Sequence, residues 1–316
     1  MHQITSPDFS IIIASHRSDY IGKCVSSFSS VVIKDFSYEL IVVADYPVES
    51  FTNQYPDIRW IHFPKLSISA KRNAGVAAAR GTIIGFTDDD CLAYADWMVA
   101  AHVYLAENPD AAGVEGTTTI AADGIESQSL HSDNFRLEQR GFRTNNIFYR
   151  ANVLRSVGGF DERFAFQRED MDLGFTLIEK KYEIGYSPGI RIDHQVRTGE
   201  PWDLLKNCWR RRFDPLLFKK HSLLYRRYIG TPVPPVIMLI WCAEVLTACT
   251  FWYDPRSALF FGGAAVIIAL VNSMRKLKNF GFLDIIIQLI SNIAAPWVLL
   301  AALVHGSIKF RSVLLH

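Results

Sequence analysis

Three consecutive aspartates, Asp88, Asp89 and Asp90, follow the apolar run 82–86 after a single threonine. Adjacent carboxylates repel one another and aspartate is a poor strand residue, so a buried strand that ends on this cluster needs an explanation. One explanation is a solvated turn, in which aspartate is common. The other is a bound divalent cation, because hard cations prefer carboxylate oxygens. These residues alone leave both explanations open.

A second acidic cluster lies in the stretch QREDMDLG, which contains Glu169, Asp170 and Asp172. Mutual repulsion tends to raise the pKa of at least one carboxyl group in such a cluster, and a carboxylate with a raised pKa can serve as a general base. The alternative is an acidic helix N-terminus, which the helix dipole stabilises without any catalysis. The pattern by itself favours neither interpretation.

Short apolar runs alternate with helix-like stretches from residue 9 to about residue 188. Near-continuous Ile and Val runs separated by helices predict parallel strands that are covered on both faces, in a doubly wound α/β sheet. Ligands of such sheets bind beyond the carboxyl ends of the strands, and both Asp45 and Asp88 fall at such ends. The predicted strands are 10–15, 38–45, 58–63 and 82–88, and the predicted helices are 19–33 and 67–81.

The last third of the chain is strongly apolar and predicts a membrane region. About 17–25 apolar residues cross a bilayer as a helix, so two spans are expected and a third is possible. The alternative is a buried helical subdomain. The apolar runs are 236–253, 258–274 and 283–306, the last interrupted by Gln288, Asn292 and Pro296. The predicted domains are a catalytic domain 1–200, a basic interfacial region 201–230 and transmembrane helices 231–316.

Basic residues flank the first two apolar runs, in segment 206–227 and again at Arg275, Lys276 and Lys278. The positive-inside rule places both basic segments, and with them the N-terminal domain, on the cytoplasmic side of an inner or plasma membrane. Segment 202–220 mixes Trp, Leu and Phe with Arg and Lys, which is typical of a helix at an anionic lipid surface. A solvated basic helix or a nucleic-acid patch is the alternative, and the neighbouring apolar runs favour lipid headgroups.

Cysteine usage and the N-terminus agree with a cytoplasmic location. The five cysteines form no C-x-x-C pair and their number is odd, which argues against a disulfide framework or a zinc ribbon. The first residues lack the basic and apolar regions of a signal peptide, so none is expected. The net charge of +1 conceals an acidic N-terminal part and a basic segment after it.

Several motifs occur in an order that resembles glycosyltransferase family 2, the inverting enzymes with the GT-A fold. The resemblance covers residues 9–194, and the first two elements differ from the common family pattern at His16-Arg17 and at ADYP. The motifs are SIIIASHR, IVVAD, AKRNAG, FTDDDC, NNIFYRANVLRSVGGFDERF and QREDMDLG.

The resemblance implies a nucleotide-sugar donor, a Mn²⁺ or Mg²⁺ ion and one general base. It implies that Asp170 is the base, that Asp90 binds the metal, and that His194 and Asp88 help to do so. The residues implied to contact the nucleotide sugar are Ser15, Arg17, Asp45, Arg72 and Asp88. Asn145 and Glu169 are implied to lie near the donor or acceptor.

The expected activity is sugar transfer to a lipid-linked or glycan acceptor at the cytoplasmic membrane face. A sugar nucleotidyltransferase and a non-catalytic membrane scaffold are the alternatives. The first would need a Gly-rich phosphate loop, which ASHRSDYIGK is not. An oxidoreductase is disfavoured because G-x-G-x-x-G does not follow the first strand. The sequence does not specify the sugar, base, acceptor, linkage, oligomeric state or the course of segment 283–306.

Overall fold

The structure is a computed structural model in which the chain forms two compact units. The division between them falls near residue 196. The structure describes residues 6–33, 35–120, 141–195, 202–276 and 282–313.

The first unit is built on a mixed eight-stranded sheet, which confirms the predicted α/β class. The strands follow the spatial order β3-β2-β1-β4-β7-β6-β8-β5. Strands β1 to β4 are parallel to one another, β7 is antiparallel to both β4 and β6, β6 is parallel to β8, and β5 is antiparallel to β8. The strands are β1 Phe9–Ser15, β2 Tyr38–Ala44, β3 Arg59–His62, β4 Ile83–Asp88, β5 Cys91–Ala93, β6 Ala111–Ile120, β7 Asn146–Arg150 and β8 Glu183–His194.

Helices cover the sheet, and all seven residues of β1 are buried between them. An apolar run that is buried on both faces explains the continuous Ile pattern of the first strand. The edge strand β3, in contrast, is only partly buried. The helices of this unit are α1 Ser18–Ser27, α2 Glu49–Gln54, α3 Ile68–Ala78, α4 Trp97–Glu107, α5 Ala151–Ser156 and α6 Glu169–Glu179.

Register brings the polar ends of three strands to one edge of the sheet. Ser15 of β1 pairs with Ala44, which directly precedes Asp45, and Ala14 pairs with Asp88 at the end of β4. Strand β5 is antiparallel to the end of β8 and pairs Cys91 with His194. Residues more than one hundred positions apart in sequence are therefore neighbours beside the acidic cluster.

The second unit is helical. Two of its helices, Pro255–Met274 and Leu283–Phe310, are long and apolar enough to cross a membrane, and Pro235–Thr250 is apolar but shorter. The basic segment 202–220 is not one continuous helix: a 3₁₀ turn at Arg211–Phe213 and Pro215, which lacks an amide hydrogen, divide it. The helices are α7 Asp203–Arg210, α8 Asp214–Lys220, α9 Ser222–Tyr228, α10 Pro235–Thr250, α11 Pro255–Lys276 and α12 Phe282–Phe310. Lys278, used in the orientation argument, lies outside the described residues.

Candidate active site

The three consecutive aspartates have three different environments. Asp89 is buried, and its Oδ2 accepts hydrogen bonds from Ser15 Oγ at 2.9 Å, from the His16 amide at 2.9 Å and from the Arg17 amide at 3.1 Å. It therefore fixes the turn that follows β1, while the Arg17 side chain is exposed. Asp88 instead accepts from Arg72, and Asp90 lies beside His194.

Asp90 and His194 form a pair that suits a cation. Asp90 is fully buried, and its Oδ2 lies 3.4 Å from His194 Nε2. His194 Nδ1 lies 2.9 Å from the Gln195 carbonyl oxygen, which only accepts, so Nδ1 carries the hydrogen. In the neutral ring the Nε2 lone pair then faces a carboxylate. Two facing acceptors at this distance favour a proton or a cation between them.

Cys91 completes a three-residue cluster with Asp90 and His194, whose potential ligand atoms lie within 4.8 Å of one another. Burial raises the pKa of the Cys91 thiol well above its ordinary value, and the charge of Asp88 adds to this effect. A protonated thiol is a poor ligand. The donor set is therefore one carboxylate and one imidazole, with Asp88 nearby in sequence and its side chain still 29% exposed. This set fits Mn²⁺ or Mg²⁺ better than a soft metal.

Asp45 lies at the end of β2 in an ion pair that the sequence analysis missed. Lys71 is 1% exposed, and its Nζ donates to Asp45 Oδ2 and to the Ser15 carbonyl, both at 2.7 Å. His16 Nδ1 contacts the same carboxylate at 2.9 Å. The pKa of Asp45 is lowered: burial raises it, but the hydrogen bonds and charges of Lys71 and His16 outweigh burial. A basic residue on α3 opposite an acidic strand end was the available sequence signal.

Arg72 joins the two acidic clusters. Its side chain is buried, and it donates from Nη2 to Asp88 Oδ1 at 3.0 Å and from Nη1 to Glu169 Oε1 at 2.7 Å. The charge of Asp170 also acts on this guanidinium. The end of β4 and the start of α6 therefore lie around one cation, which places Asp170 on the same side of the sheet as the aspartates of the first cluster.

Asp170 titrates far above the ordinary range of an aspartate. Burial raises its pKa from 3.8 to about 7, the charge of Glu169 adds to the shift, and the amide of Met171 and the charges of Arg72 and Arg168 oppose it. Its Oδ1 accepts from the Met171 amide at 2.7 Å. The preceding Arg168 has a φ of 76°, a strained conformation for a residue other than glycine. A carboxylate with this pKa is suited to accept a proton near neutral pH.

We expect Arg72→Met to destabilise the first unit strongly. Removing one member of a buried ion pair costs about 3–5 kcal/mol, because Asp88 and Glu169 would lose their shared cation. Since the Arg72 charge lowers the pKa of Asp170, the acid limb of the pH–activity profile should also move to higher pH. Chemical denaturation and the pH profile measure the two effects.

Arg80→Met is the matched control, because Arg80 pairs with Glu39 at 2.8 Å through a side chain that is 55% exposed. An exposed pair contributes at most about 1 kcal/mol. Equal losses of unfolding free energy in Arg72→Met and Arg80→Met would contradict the bridging role of Arg72.

The structure also places polar residues that hold the surrounding strands. Asn145 is buried and its Oδ1 lies 3.4 Å from Thr118 Oγ1. The sequence analysis missed its neighbour Asn146, which donates to two backbone carbonyls and accepts from Trp97 Nε1 at 2.8 Å. It also missed Glu115, whose carboxylate accepts hydrogen bonds from the backbone amides of residues 141–143. A lone acidic residue inside an apolar strand was the signal for Glu115.

The family model described as glycosyl transferase family 2 matches residues 10–169, about half of the chain. The chain belongs to this family. The matched region contains both acidic clusters up to Glu169, and Asp170 directly follows it.

Among related proteins, the pre-mycofactocin glycosyltransferase of Mycobacterium tuberculosis is 31% identical over 182 residues, which are 50% of this chain and 38% of the relative. The glucosyl-dolichyl phosphate glucuronosyltransferase of Haloferax volcanii is 22% identical over 247 residues, covering 67% of this chain and 79% of that protein. The chain thus spans well under half of the Mycobacterium relative.

Solved structures support the GT-A fold. The mannosyltransferase PcManGT of Pyrobaculum calidifontis, in complex with GDP-Man and Mn²⁺, superposes with a TM-score of 0.52 at 16% identity and covers 98% of this chain and 88% of that chain. TarS of S. aureus, in complex with UDP, gives a TM-score of 0.51 at 13% identity and covers 96% of this chain and 91% of that chain. At these identities the likeness concerns the fold.

Proposed function

We propose that this family member is a metal-dependent inverting glycosyltransferase that moves a sugar from a nucleotide-sugar donor to a lipid-linked or glycan acceptor at the cytoplasmic membrane face. One observation carries the proposal. Arg72 joins Asp88, at the end of β4, to Glu169, which directly precedes Asp170 with its raised pKa. This bridge supports a donor site and a base that lie close together on one side of the sheet.

Asp170 acts as the general base. The Met171 amide holds Oδ1, so Oδ2 is the atom that takes the proton from the acceptor hydroxyl. The acceptor oxygen forms its bond to the anomeric carbon as the bond to the nucleoside diphosphate breaks, and attack opposite the leaving group inverts the configuration. Arg72 holds Glu169 and thereby positions the first turn of α6.

The donor diphosphate lies beyond the carboxyl ends of β1 and β4. Asp90 and His194 would hold a Mn²⁺ or Mg²⁺ ion, with Asp88 assisting. Such an ion, when bound, neutralises the charge that develops on the departing diphosphate. Ser15, Arg17 and Asp45 lie at the neighbouring strand ends, where the nucleoside is expected. The GDP-Man and Mn²⁺ bound to PcManGT and the UDP bound to TarS support this donor class.

The second unit supports membrane attachment and therefore a membrane-presented acceptor. Its apolar helices carry exposed aromatic side chains at the α10–α11 turn, where Trp252 is 82% and Tyr253 is 90% exposed. Aromatic residues of this kind concentrate at bilayer interfaces. The basic side chains of segment 206–227 suit anionic lipid headgroups.

A thermal-shift screen tests the donor class. A ligand present at about one hundred times its dissociation constant stabilises the folded state by about 2.7 kcal/mol. We expect one nucleotide sugar to raise the melting temperature in the presence of Mn²⁺, and to raise it much less without Mn²⁺. Asp90→Asn should remove the Mn²⁺-dependent part of the shift. Stabilisation by no nucleotide sugar, with or without metal, would count against the proposed function.

A further inference from the structure

Helices α10 and α11 form a hairpin in the second unit. Residues 251–254 connect them, and Gly262 of α11 faces Thr247 of α10, with space for a Cβ only 3.5 Å from the Thr247 methyl group. The start of α10 and the end of α11 therefore lie at the same end of the hairpin, which we call the open end. The turn at 251–254 forms the closed end.

The first half of α12 meets the end of α11. Asn292 accepts from Asn272 Nδ2 at 2.6 Å and donates to Ser273 Oγ at 3.0 Å, and both of these partners lie in the last turns of α11. Asn292 and Ser273 are almost fully buried. These amide and hydroxyl contacts satisfy polar groups that would be costly among lipid chains.

The second half of α12 meets the start of α10 and the segment that precedes it. Leu299 and Leu303 line a groove with Val233 and Ile237. Further along, Gly306 lies against the Arg212 carbonyl, and the Phe310 carbonyl accepts from Lys219 Nζ at 2.9 Å. The contacts of α12 thus lead from the end of α11 to the start of α10, both of which belong to the open end of the hairpin.

We propose that α12 lies along the membrane interface with both of its ends on the side of helices α7 to α9, and does not cross the bilayer. The proposal rests on the membrane attachment included in the proposed function. A helix that crossed beside the hairpin would carry its last residues toward the closed end, whereas these residues contact Arg212 and Lys219. Its apolar length alone would favour a span, and the contacts with the open end decide against it.

An exposed apolar stripe along α12 supports lipid as the partner. Leu283, Ile290, Trp297 and Val304 recur every seven residues, so they lie on one face, and they are 71%, 49%, 51% and 49% exposed. Trp297 also donates from Nε1 to Glu244 Oε2 of α10 at 2.8 Å, so its ring is only partly available to lipid. The opposite face packs within the unit through Ala295, which is fully buried. A helix with one apolar face toward the acyl boundary and basic residues beside it is typical of interfacial binding.

Cysteine labelling in sealed membrane vesicles tests the location of the helix ends. The background variant replaces the exposed Cys242 and Cys249 with serine, because the other three cysteines are buried. Three single variants are then made in this background: Ser222→Cys marks α9, Asp254→Cys marks the closed end of the hairpin, and Val313→Cys marks the chain just after α12. Each is treated with a membrane-impermeant maleimide in vesicles of either orientation. We expect Val313→Cys to be labelled from the same side as Ser222→Cys. Labelling from the opposite side would overturn the proposal.

Spin-label depth provides a second measurement. Positions 290 and 304 are about 21 Å apart along α12, and positions 259 and 274 are about 22 Å apart along α11. We expect equal membrane depths for Ile290→Cys and Val304→Cys, and different depths for the control pair Leu259→Cys and Met274→Cys. A depth difference in the α12 pair as large as that of the α11 pair would contradict the interfacial position.

The two proposals fail in different ways. Release of the full chain from membranes by carbonate would overturn membrane attachment and the position of α12 together. Retention in the membrane with Val313→Cys and Ser222→Cys on opposite sides would overturn the position of α12 alone. Neither result changes the loss of transfer rate that is expected for variants of Asp170 or Asp90.

Discussion

Asp170→Asn should abolish sugar transfer while leaving the fold intact. A positioned general base contributes on the order of 10²- to 10⁴-fold to the rate, and an asparagine amide cannot take the proton. We expect kcat to fall by that factor while the dissociation constant of the nucleotide sugar changes little, because Asp170 acts on the acceptor hydroxyl. Steady-state kinetics and donor titration measure the two quantities. Asp57→Asn, in an exposed turn, is the matched control and should behave like wild type.

The raised pKa of Asp170 should make both the activity and the free energy of unfolding depend on pH. Since Asp170 must be deprotonated to act and its pKa is about 7, activity should fall as the pH drops below 7. Between its ordinary value of 3.8 and about 7, the folded protein keeps a proton that the unfolded chain has released. The free energy of unfolding therefore falls as pH rises through this window.

The Asp170→Asn variant cannot form the carboxylate charge that destabilises the folded wild type at high pH. It should therefore be more stable than wild type at pH 8 and nearly equal in stability to it below pH 4. Denaturant titration at the two pH values measures the difference. A variant that keeps full activity, or one that is less stable than wild type at pH 8, would exclude Asp170 as a base with a raised pKa.

Removal of the metal, or of the Asp90 carboxylate, should lower the rate of sugar transfer to an extent similar to that expected for Asp170→Asn. A divalent ion stabilises the departing diphosphate by several kcal/mol, and each 1.4 kcal/mol changes the rate about tenfold. We therefore expect EDTA, or Asp90→Asn, to lower the transfer rate on the order of 10²- to 10³-fold. Addition of Mn²⁺ should restore the EDTA-treated wild type and should not restore the variant.

Asp96→Asn is the control for this experiment, because Asp96 is an exposed aspartate near the site that pairs with Arg191 at 3.4 Å. It should retain wild-type activity and the same response to Mn²⁺. Full transfer activity of the wild type after exhaustive EDTA treatment would remove the metal from the mechanism, and full activity of Asp90→Asn would remove Asp90 as its ligand.

Much of the fold could be predicted because its signals are local. The Ile-rich runs that become β1 and β2 are buried on both faces and therefore lack polar alternation. The glycine pair in the motif NNIFYRANVLRSVGGFDERF, Gly158 and Gly159, has φ values of 88° and 69°, which glycine adopts without strain. The broken helix at 211–213 was not predicted, because the amphipathic pattern of the segment continues across the 3₁₀ turn.

The candidate site was predicted less completely than the fold. The acidic residues stood out because charges after apolar runs are unusual. Lys71 and Glu115 did not stand out, because a lysine on a helix and a glutamate in a strand look like surface residues until the packing buries them. Their partners, Asp45 and the amides of residues 141–143, are distant in sequence.

The sequence by itself determined the first four strands of the sheet, the family and the two acidic clusters, because periodicity and motif spacing are written along the chain. Only the tertiary structure decided which of these charges meet. Pairing of β5 with β8 places His194 beside Asp90, and burial of Arg72 ties Asp88 to Glu169. Burial and proximity set the pKa of Asp170, and both arise only when distant segments pack together.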